Sequence, residues 1–344
     1  MRARDVAVVP AAAGGPKGLI FQHLDQWLFG AWLAGAPRQR SLVGSSIGAW
    51  RLAAACHANP ADALARLGRL YCDQTYSAKP GPQEVQRVCA QLLADFIQGH
   101  EHEVIAHPQH RLHVLAVRGK RLLAAPAGRA AQLGGFAAAG LLNLGSRAAL
   151  GQLLERVVIG DARDPAPWLR ARFDRFTTHF AALDTANLAA ALLASGTLPL
   201  VMDPVRALHG APPGLYWDGG LIDYNLALPY ARMDGAAEGE LVLYPHFGEH
   251  IVPGWLDKGL RWRRAARGPQ GHWLDNVLIV APSAAFLATL PRAKLPDRQD
   301  FKHYGLDHAA RAANWRRAIG QGERLRDELA AFAERPELAR VAPL

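Results

Sequence analysis

Ser41-Leu42-Val43-Gly44-Ser45-Ser46-Ile47-Gly48 is the stretch on which the reading of this chain turns. A short β-prone run leads into G-x-S-x-G, and Ile47 to His57, rich in Ala and Leu, reads as a helix directly after it. A serine in that frame occupies a sharp strand-to-helix turn, and the flanking glycines let the chain double back closely. The helix starting near Ile47 points its positive end at the turn. Ser45 is also a serine, but the glycine frame of Gly44 and Gly48 selects Ser46.

A serine hydroxyl is a weak nucleophile at neutral pH and needs a base within reach, plus donors for the oxyanion it generates. Two further stretches offer those parts. Upstream, Gly14-Gly15-Pro16-Lys17-Gly18 follows the strand-like Asp5 to Pro10. Gly14 and Gly15 offer backbone N–H groups without side-chain obstruction, and Lys17 can orient the turn or meet an anionic head group. Pro16 equally suits the first turn of a helix. Downstream, Asp218-Gly219-Gly220 follows Leu215-Tyr216-Trp217. The two glycines allow tight approach to the serine turn, and a partly desolvated Asp218 gains the basicity to accept the serine proton.

Around these motifs the chain alternates strand and helix. Val6 to Val9, Leu42-Val43, Leu112 to Val117, Val157 to Ile159, Phe176 to Phe180, Trp217, Leu241 to Tyr244 and Val277 to Val280 read as strands. Leu19 to Leu33, Ala61 to Tyr76, Gln83 to Phe96, Thr185 to Ala194 and Asp307 to Ala339 read as helices. Short apolar strands separated by helices argue for parallel pairing with helical crossovers. Pro10, Pro245 and Pro282 mark turns at strand C-termini, where open α/β sheets carry their sites. Ala130 to Leu154 is apolar and spotted with glycine; a core helix pair is favoured over a lid or a face lying on lipid. No composition shift marks a linker, so a single domain over 1–344 is expected, with 307–339 as a C-terminal helical extension.

At 344 residues, half of them hydrophobic and a fifth charged, the chain is ordinary globular material with room for a sizeable core. Its formal charge is +9, and only six of its 39 basic residues are lysines. Compositional bias toward Arg and Ala accounts for that; peripheral contact with an anionic membrane surface is the functional alternative. The densest basic stretch is Arg261-Trp262-Arg263-Arg264 with Arg267, and no zinc spacing or recognition-helix pattern accompanies it, so no nucleic-acid partner is expected. Cys56, Cys72 and Cys89 are too few and odd in number for a disulfide framework, which predicts a reducing, cytoplasmic setting. Met1 to Ala13 leads straight into the glycine turn and reads as a first core strand rather than a leader. No apolar run reaches the ~20 residues that span a bilayer. No metal-ligand spacing is present, so no metal or other cofactor is expected.

The three motifs in this order resemble the patatin-like phospholipase family. That family joins a glycine-rich oxyanion loop, G-x-S-x-G and D-G-[GA] in a three-layer α/β/α sandwich around a mostly parallel sheet. The resemblance implies a serine lipid acyl hydrolase with a Ser46–Asp218 dyad, and loop donors at Gly14, Gly15 and Lys17. Gly18, Gly44, Gly48, Gly219 and Gly220 match its motif glycines. Ala194-Ser195-Gly196-Thr197-Leu198-Pro199-Leu200 resembles a further block ahead of the aspartate, and Asn225 sits where the family often has an asparagine. Ala12 and Ala13 replace an acidic residue and a third glycine in the usual loop; Ala13 is expected to offer its N–H all the same, while Pro16 removes one donor.

Two other readings remain open. A Ser-His-Asp esterase of the α/β-hydrolase type would recruit a later histidine such as His246, His272 or His303. A lipid-binding protein of the same fold would have lost activity. Acyl transfer to an alcohol uses the same covalent intermediate as hydrolysis, and residue types do not separate the two.

Overall fold

A computed structural model describes residues 1–265 and 270–344; Arg267 therefore lies outside the described residues. Eight strands form one sheet: β1 (Val6–Ala11), β2 (Arg40–Ser45), β3 (His110–Gly119), β4 (Leu154–Gly160), β5 (Thr178–Ala182), β6 (Tyr216–Asp218), β7 (Leu241–Pro245) and β8 (Val277–Val280). Their order is β5-β4-β3-β2-β1-β7-β8, with β6 also pairing β3. The sheet is mostly parallel, as expected. The exceptions are β3–β4 and β3–β6, both antiparallel.

Alternation along the strands splits the core in two. Val6, Val9, Leu42, Leu112 and Val114 face one apolar cluster; Ala7, Val8, Val43 and Leu115 face the other. The first is roofed by helices Ile47–Ala55, Pro60–Asp73, Pro82–Ile97 and Leu188–Gly196; the buried residues of Pro60–Asp73 and Pro82–Ile97 recur at helical spacing, while Ile47–Ala55 is buried on every side. The second is roofed by short turns and loops carrying Trp168, Leu226, Tyr230, Ile251 and Leu274. The sandwich thus has three layers, with one face covered by long helices and the other by short segments.

Several local expectations are corrected. Pro10 and Pro245 lie within β1 and β7 instead of after them, and β3 runs on through Arg118 and Gly119, beyond the expected Val117. β5 starts two residues after Phe176. The segment 130–154 divides into a helix Arg129–Gly145, a 3₁₀ turn Arg147–Gln152 and the start of β4. It is not a buried helix pair: Leu133, Leu141 and Leu144 stand in solvent. The C-terminal stretch breaks near Gly322 into helices His308–Gln321 and Glu323–Glu334. Trp315 and Ile319 of the first pack on Leu19 and Cys72, so this end of the chain lies against the segment that follows β1.

One buried ion pair ties the two site-bearing crossovers together. Arg51, on the helix after Ser46, meets Asp25 bidentately at 2.7 and 2.9 Å, and its guanidinium lies over the Phe21 ring. Burial pushes the Asp25 carboxyl up and Arg51 pulls it back. Removing one partner strands a buried charge. Asp25→Ala is expected to cost about 3–5 kcal/mol in urea unfolding, whereas Asp25→Leu combined with Arg51→Met recovers most of that loss.

Candidate active site

Strand register, before any side chain, brings the two motif residues together. Along one edge of β3, Ser45 at the end of β2 pairs with Leu115, and Asp218 at the end of β6 pairs with the next residue, Ala116. The opposite edge at Ala116 is already taken by Val157 of β4. β2 runs parallel to β3 and β6 antiparallel, so their C-terminal ends meet head to head on one edge. Ser46 follows directly from one of them, and Asp218 closes the other.

Ser46 itself has φ 56° and ψ −132°, outside the regions comfortable for a residue with a Cβ. The turn closes because its neighbours lack side chains. A Cβ on Gly48 would fall 1.9 Å from the Ala11 carbonyl oxygen, and one on Gly44 would fall 2.5 Å from the Ala49 Cα. The side chain that emerges is 5% exposed, and its Oγ donates to Asp218 Oδ2 at 2.7 Å. Asp218 Oδ1 accepts from the Gly220 N–H at 2.7 Å, which fixes the carboxylate plane. Ser45 is fully buried, with no hydrogen-bond partner for its hydroxyl among the described residues.

The small-residue block that precedes β6 braces both partners. The Ser46 N–H donates to Ser195 Oγ at 2.8 Å, and that hydroxyl donates onward to the Leu115 carbonyl at 2.6 Å. The Asp218 N–H donates to the Thr197 carbonyl at 2.7 Å. Sequence reading noticed this block without assigning Ser195 a part; a lone serine between Ala194 and Gly196 carries no signal of the strand it will brace.

The glycine turn leaves β1 beside β2, with Ala11 paired to Gly44. Gly15 has φ +56° and lines the same cavity as Ser46. Among the described residues the Gly14 and Gly15 N–H groups donate to no protein acceptor. Ala13 is a correction: its N–H is committed to the Tyr224 carbonyl at 3.0 Å and is not free to serve an oxyanion. Lys17 lies with its ammonium 4.8 Å from the Phe247 ring centroid, and Phe247 in turn packs on Gly14. Gly18 sits under Ile47 and Arg51, and Gly219 and Gly220 pack against Leu115 and Ala13. Asn225 is buried, and its Oδ1 accepts from the Val252 N–H, holding the loop that follows β7.

Ser46 opens into a cavity of about 430 Å³. Ile47, Trp50, Val85, Leu92, Leu198 and Met202 give it apolar walls; Arg298, Phe301 and Lys302 close one side. The size and lining suit one apolar chain. Arg298 and Lys302 are exposed, and Arg298 stands over Gly15, its Nε 3.4 Å from where a Cβ would sit. The loop carrying Arg298 is anchored by buried Asp300, which accepts from Arg292, Lys294 and the Trp315 indole at 2.6, 2.8 and 2.9 Å.

Burial pushes the Asp218 carboxyl above the usual carboxylate range, while Arg298, the Ser46 hydroxyl, the Gly220 N–H and Lys258 draw it back. The Lys258 ammonium lies 3.9 Å from the Tyr224 ring centroid; desolvation there and the like charges of Lys17 and Arg298 push it down to about 7. Sequence reading missed Lys258 and Arg298, which sit in no motif.

Among the described residues, no histidine bonds to Ser46 or Asp218. His246 is buried, pushed down to about 4 by desolvation, with Nδ1 bonded to the Gly248 carbonyl. His272 and His303 are exposed. His308 lines the cavity, but its nitrogens face the Tyr76 carbonyl and Arg311. Among the described residues, one group of potential metal ligands gathers, His57, His100 and Glu103, with the Arg66 guanidinium 3.3 Å from His100 Nε2, a competing cation.

The family model for patatin-like phospholipase matches residues 14–231. No curated protein matches. The match covers well over half of the chain and takes in the glycine turn, the serine turn and the aspartate motif; the chain belongs to the patatin-like phospholipase family. Lys258, Arg298 and Lys302 lie beyond the matched residues.

Ser195→Ala leaves the Ser46 N–H and the Leu115 carbonyl without their bridge. It is expected to lower unfolding free energy by about 1–3 kcal/mol and to slow fluorophosphonate labelling of Ser46. Ser195→Thr, which keeps the hydroxyl, retains more of both.

Proposed function

We propose that this chain is a serine lipid acyl hydrolase that cleaves fatty acyl esters through Ser46 and Asp218. The family it belongs to is one of lipid acyl hydrolases. The observation that carries the finer reading is the 2.7 Å hydrogen bond from Ser46 Oγ to Asp218 Oδ2 at the wall of an apolar cavity.

The chemistry follows from that contact. An acyl chain enters among Trp50, Val85 and Leu198, bringing the ester carbonyl to Ser46. Asp218 takes the hydroxyl proton as Oγ attacks the carbonyl carbon. The negative charge that develops on the carbonyl oxygen meets the Gly14 and Gly15 N–H groups; such donors are worth on the order of 3 kcal/mol each. Lys17 and Arg298 add positive charge beside that turn. Asp218 then gives its proton to the leaving alcohol oxygen, which leaves an acyl-Ser46 ester. A water deprotonated by Asp218 attacks that ester, and the proton returns to Ser46 as the fatty acid departs. Burial of Asp218 serves this cycle, because a desolvated carboxylate is a stronger base than one in water.

A histidine base is not favoured by this arrangement. The hydroxyl already donates to a carboxylate, and His246 is bonded to backbone.

On a panel of acyl esters, Ser46→Ala and Asp218→Asn are each expected to lower kcat/KM by about a thousandfold or more. His246→Ala should keep most activity in whatever fraction folds. A loss at any single histidine equal to that of Ser46→Ala would sink the two-residue mechanism.

The pH profile carries a sign. Asp218 must be ionised to act as base, so activity falls as pH drops through its raised pKa, and the acid limb lies above the usual carboxylate range. Arg298 lowers that pKa, so Arg298→Met should move the acid limb to higher pH. A limb unmoved by Arg298→Met, read from the pH dependence of kcat/KM, would separate Arg298 from the base.

A further inference from the structure

The helix Arg129–Gly145 turns its apolar side to water. Its inner face is accounted for: Phe136 meets the Trp217 ring edge-on, Gly135 and Ala139 lie against the core, and Asn143 Nδ2 donates to Asp257 Oδ1 at 2.8 Å. Its outer face carries Leu133, Ala137, Leu141 and Leu144, and Leu141 is 70% exposed. No charged residue occurs from Ala130 to Gly145. A surface helix normally carries polar residues outward, and a contiguous apolar face left in solvent marks a contact surface.

The two segments that border this helix carry basic charges only. The carboxylates that meet them, Asp257 and Glu155, are buried, Asp257 against Asn143, Arg147 and Arg263 and Glu155 against Lys120. Lys120 to Leu154 contains no Asp or Glu, and neither does Lys258 to Leu274. The second segment is brought to the helix by Arg263, which donates to the Leu144 carbonyl at 3.2 Å. Beside that contact Trp262 is 68% exposed, next to exposed Arg261. Leu122, also exposed, extends the apolar area from the turn that Gly135 packs on, with exposed Arg121 and Arg129 at its margin.

We infer that this face docks the protein on an anionic phospholipid surface, with Leu141, Leu144 and Trp262 entering the headgroup layer and Arg261, Arg121 and Arg129 meeting lipid phosphates. An apolar helix stripe, an interfacial tryptophan and a basic margin without acidic residues are the components of an interfacial anchor. A protein partner would need no such absence of carboxylates from both segments. The inner side of the helix is linked by contacts to the candidate active site. Trp255 packs on the apolar cluster that Ala139 joins, and its ring lies 5.7 Å from the Arg298 guanidinium, which lines the Ser46 cavity. The functional link rests on the lipid acyl hydrolase reading; the surface itself does not.

The test is co-sedimentation of the full chain with phosphatidylcholine vesicles, with and without phosphatidylglycerol. Wild type should bind the phosphatidylglycerol vesicles, and more weakly at high salt. Leu141→Glu with Leu144→Glu should lower the partition coefficient about tenfold or more, and Trp262→Ala, a milder change that does not touch the helix, should lower it too. Turnover of a soluble short-chain ester should be the same in all three proteins. Absent binding by wild type, or equal binding by the variants, overturns the inference. So does a wild-type dimer in sedimentation equilibrium that Leu141→Glu with Leu144→Glu dissolves, since the face would then belong to a second copy. Failure of wild type to turn over the soluble ester, with Ser46 unlabelled by fluorophosphonate, would instead remove the hydrolase reading and leave the vesicle result standing.

Discussion

The meeting of β2 and β6 on one edge of β3 is the constraint from which the site follows. Two strands running in opposite directions end at adjacent positions, Leu115 and Ala116, of a third strand. Neither can continue without colliding with the other, so both chains must turn away there. One turns at Ser46 and the other at Asp218, and the side chains at a forced turn project into the gap between the strand ends. A Cβ on Gly219 would lie 2.2 Å from the Leu115 carbonyl oxygen, which shows how little room that junction leaves. The hydrogen bond between the two side chains is thus a product of sheet register, and Ser195 with Thr197 holds the register from below.

The same crowding sets the electrostatics. A carboxylate sealed among strand ends loses water, and its pKa rises. Opposing that rise are the Ser46 hydroxyl, the Gly220 N–H, and cations from beyond the family-matched residues. Arg298 reaches this place because Asp300 binds its loop to Trp315, and Trp315 packs on Leu19 and Cys72. The helix His308–Gln321 therefore reaches the site twice, through Asp300 and through His308, which lines the cavity, although it contributes no motif.

How much of this was legible depended on whether the determining interaction was local. The serine turn, the glycine turn and the aspartate motif are local: each is a strand end whose glycines answer to backbone crowding within a few residues, so sequence spacing reveals them. The strands were found for the same reason. The antiparallel pairings of β3 were not, because nothing in Val157 to Ile159 or Tyr216-Trp217 distinguishes the direction of a buried strand. Ala13 looked free to donate because its acceptor, the Tyr224 carbonyl, comes from more than two hundred residues away. Arg298 and Lys258 were invisible for an equivalent reason: an isolated cation in a loop becomes significant only when folding places it beside a distant carboxylate.

The helix Arg129–Gly145 shows a different kind of failure. Its apolar composition was read correctly, and burial was then inferred from composition. That inference assumes that every apolar stripe finds a partner within the same chain. Here the inner stripe does, on Trp217 and Leu123, while the outer stripe is left over. Composition cannot tell a helix that is apolar because it is enclosed from one that is apolar because part of its environment is not water. The surrounding charge can: enclosed helices have no reason to be flanked by long segments lacking Asp and Glu, whereas a face that meets an anionic surface does.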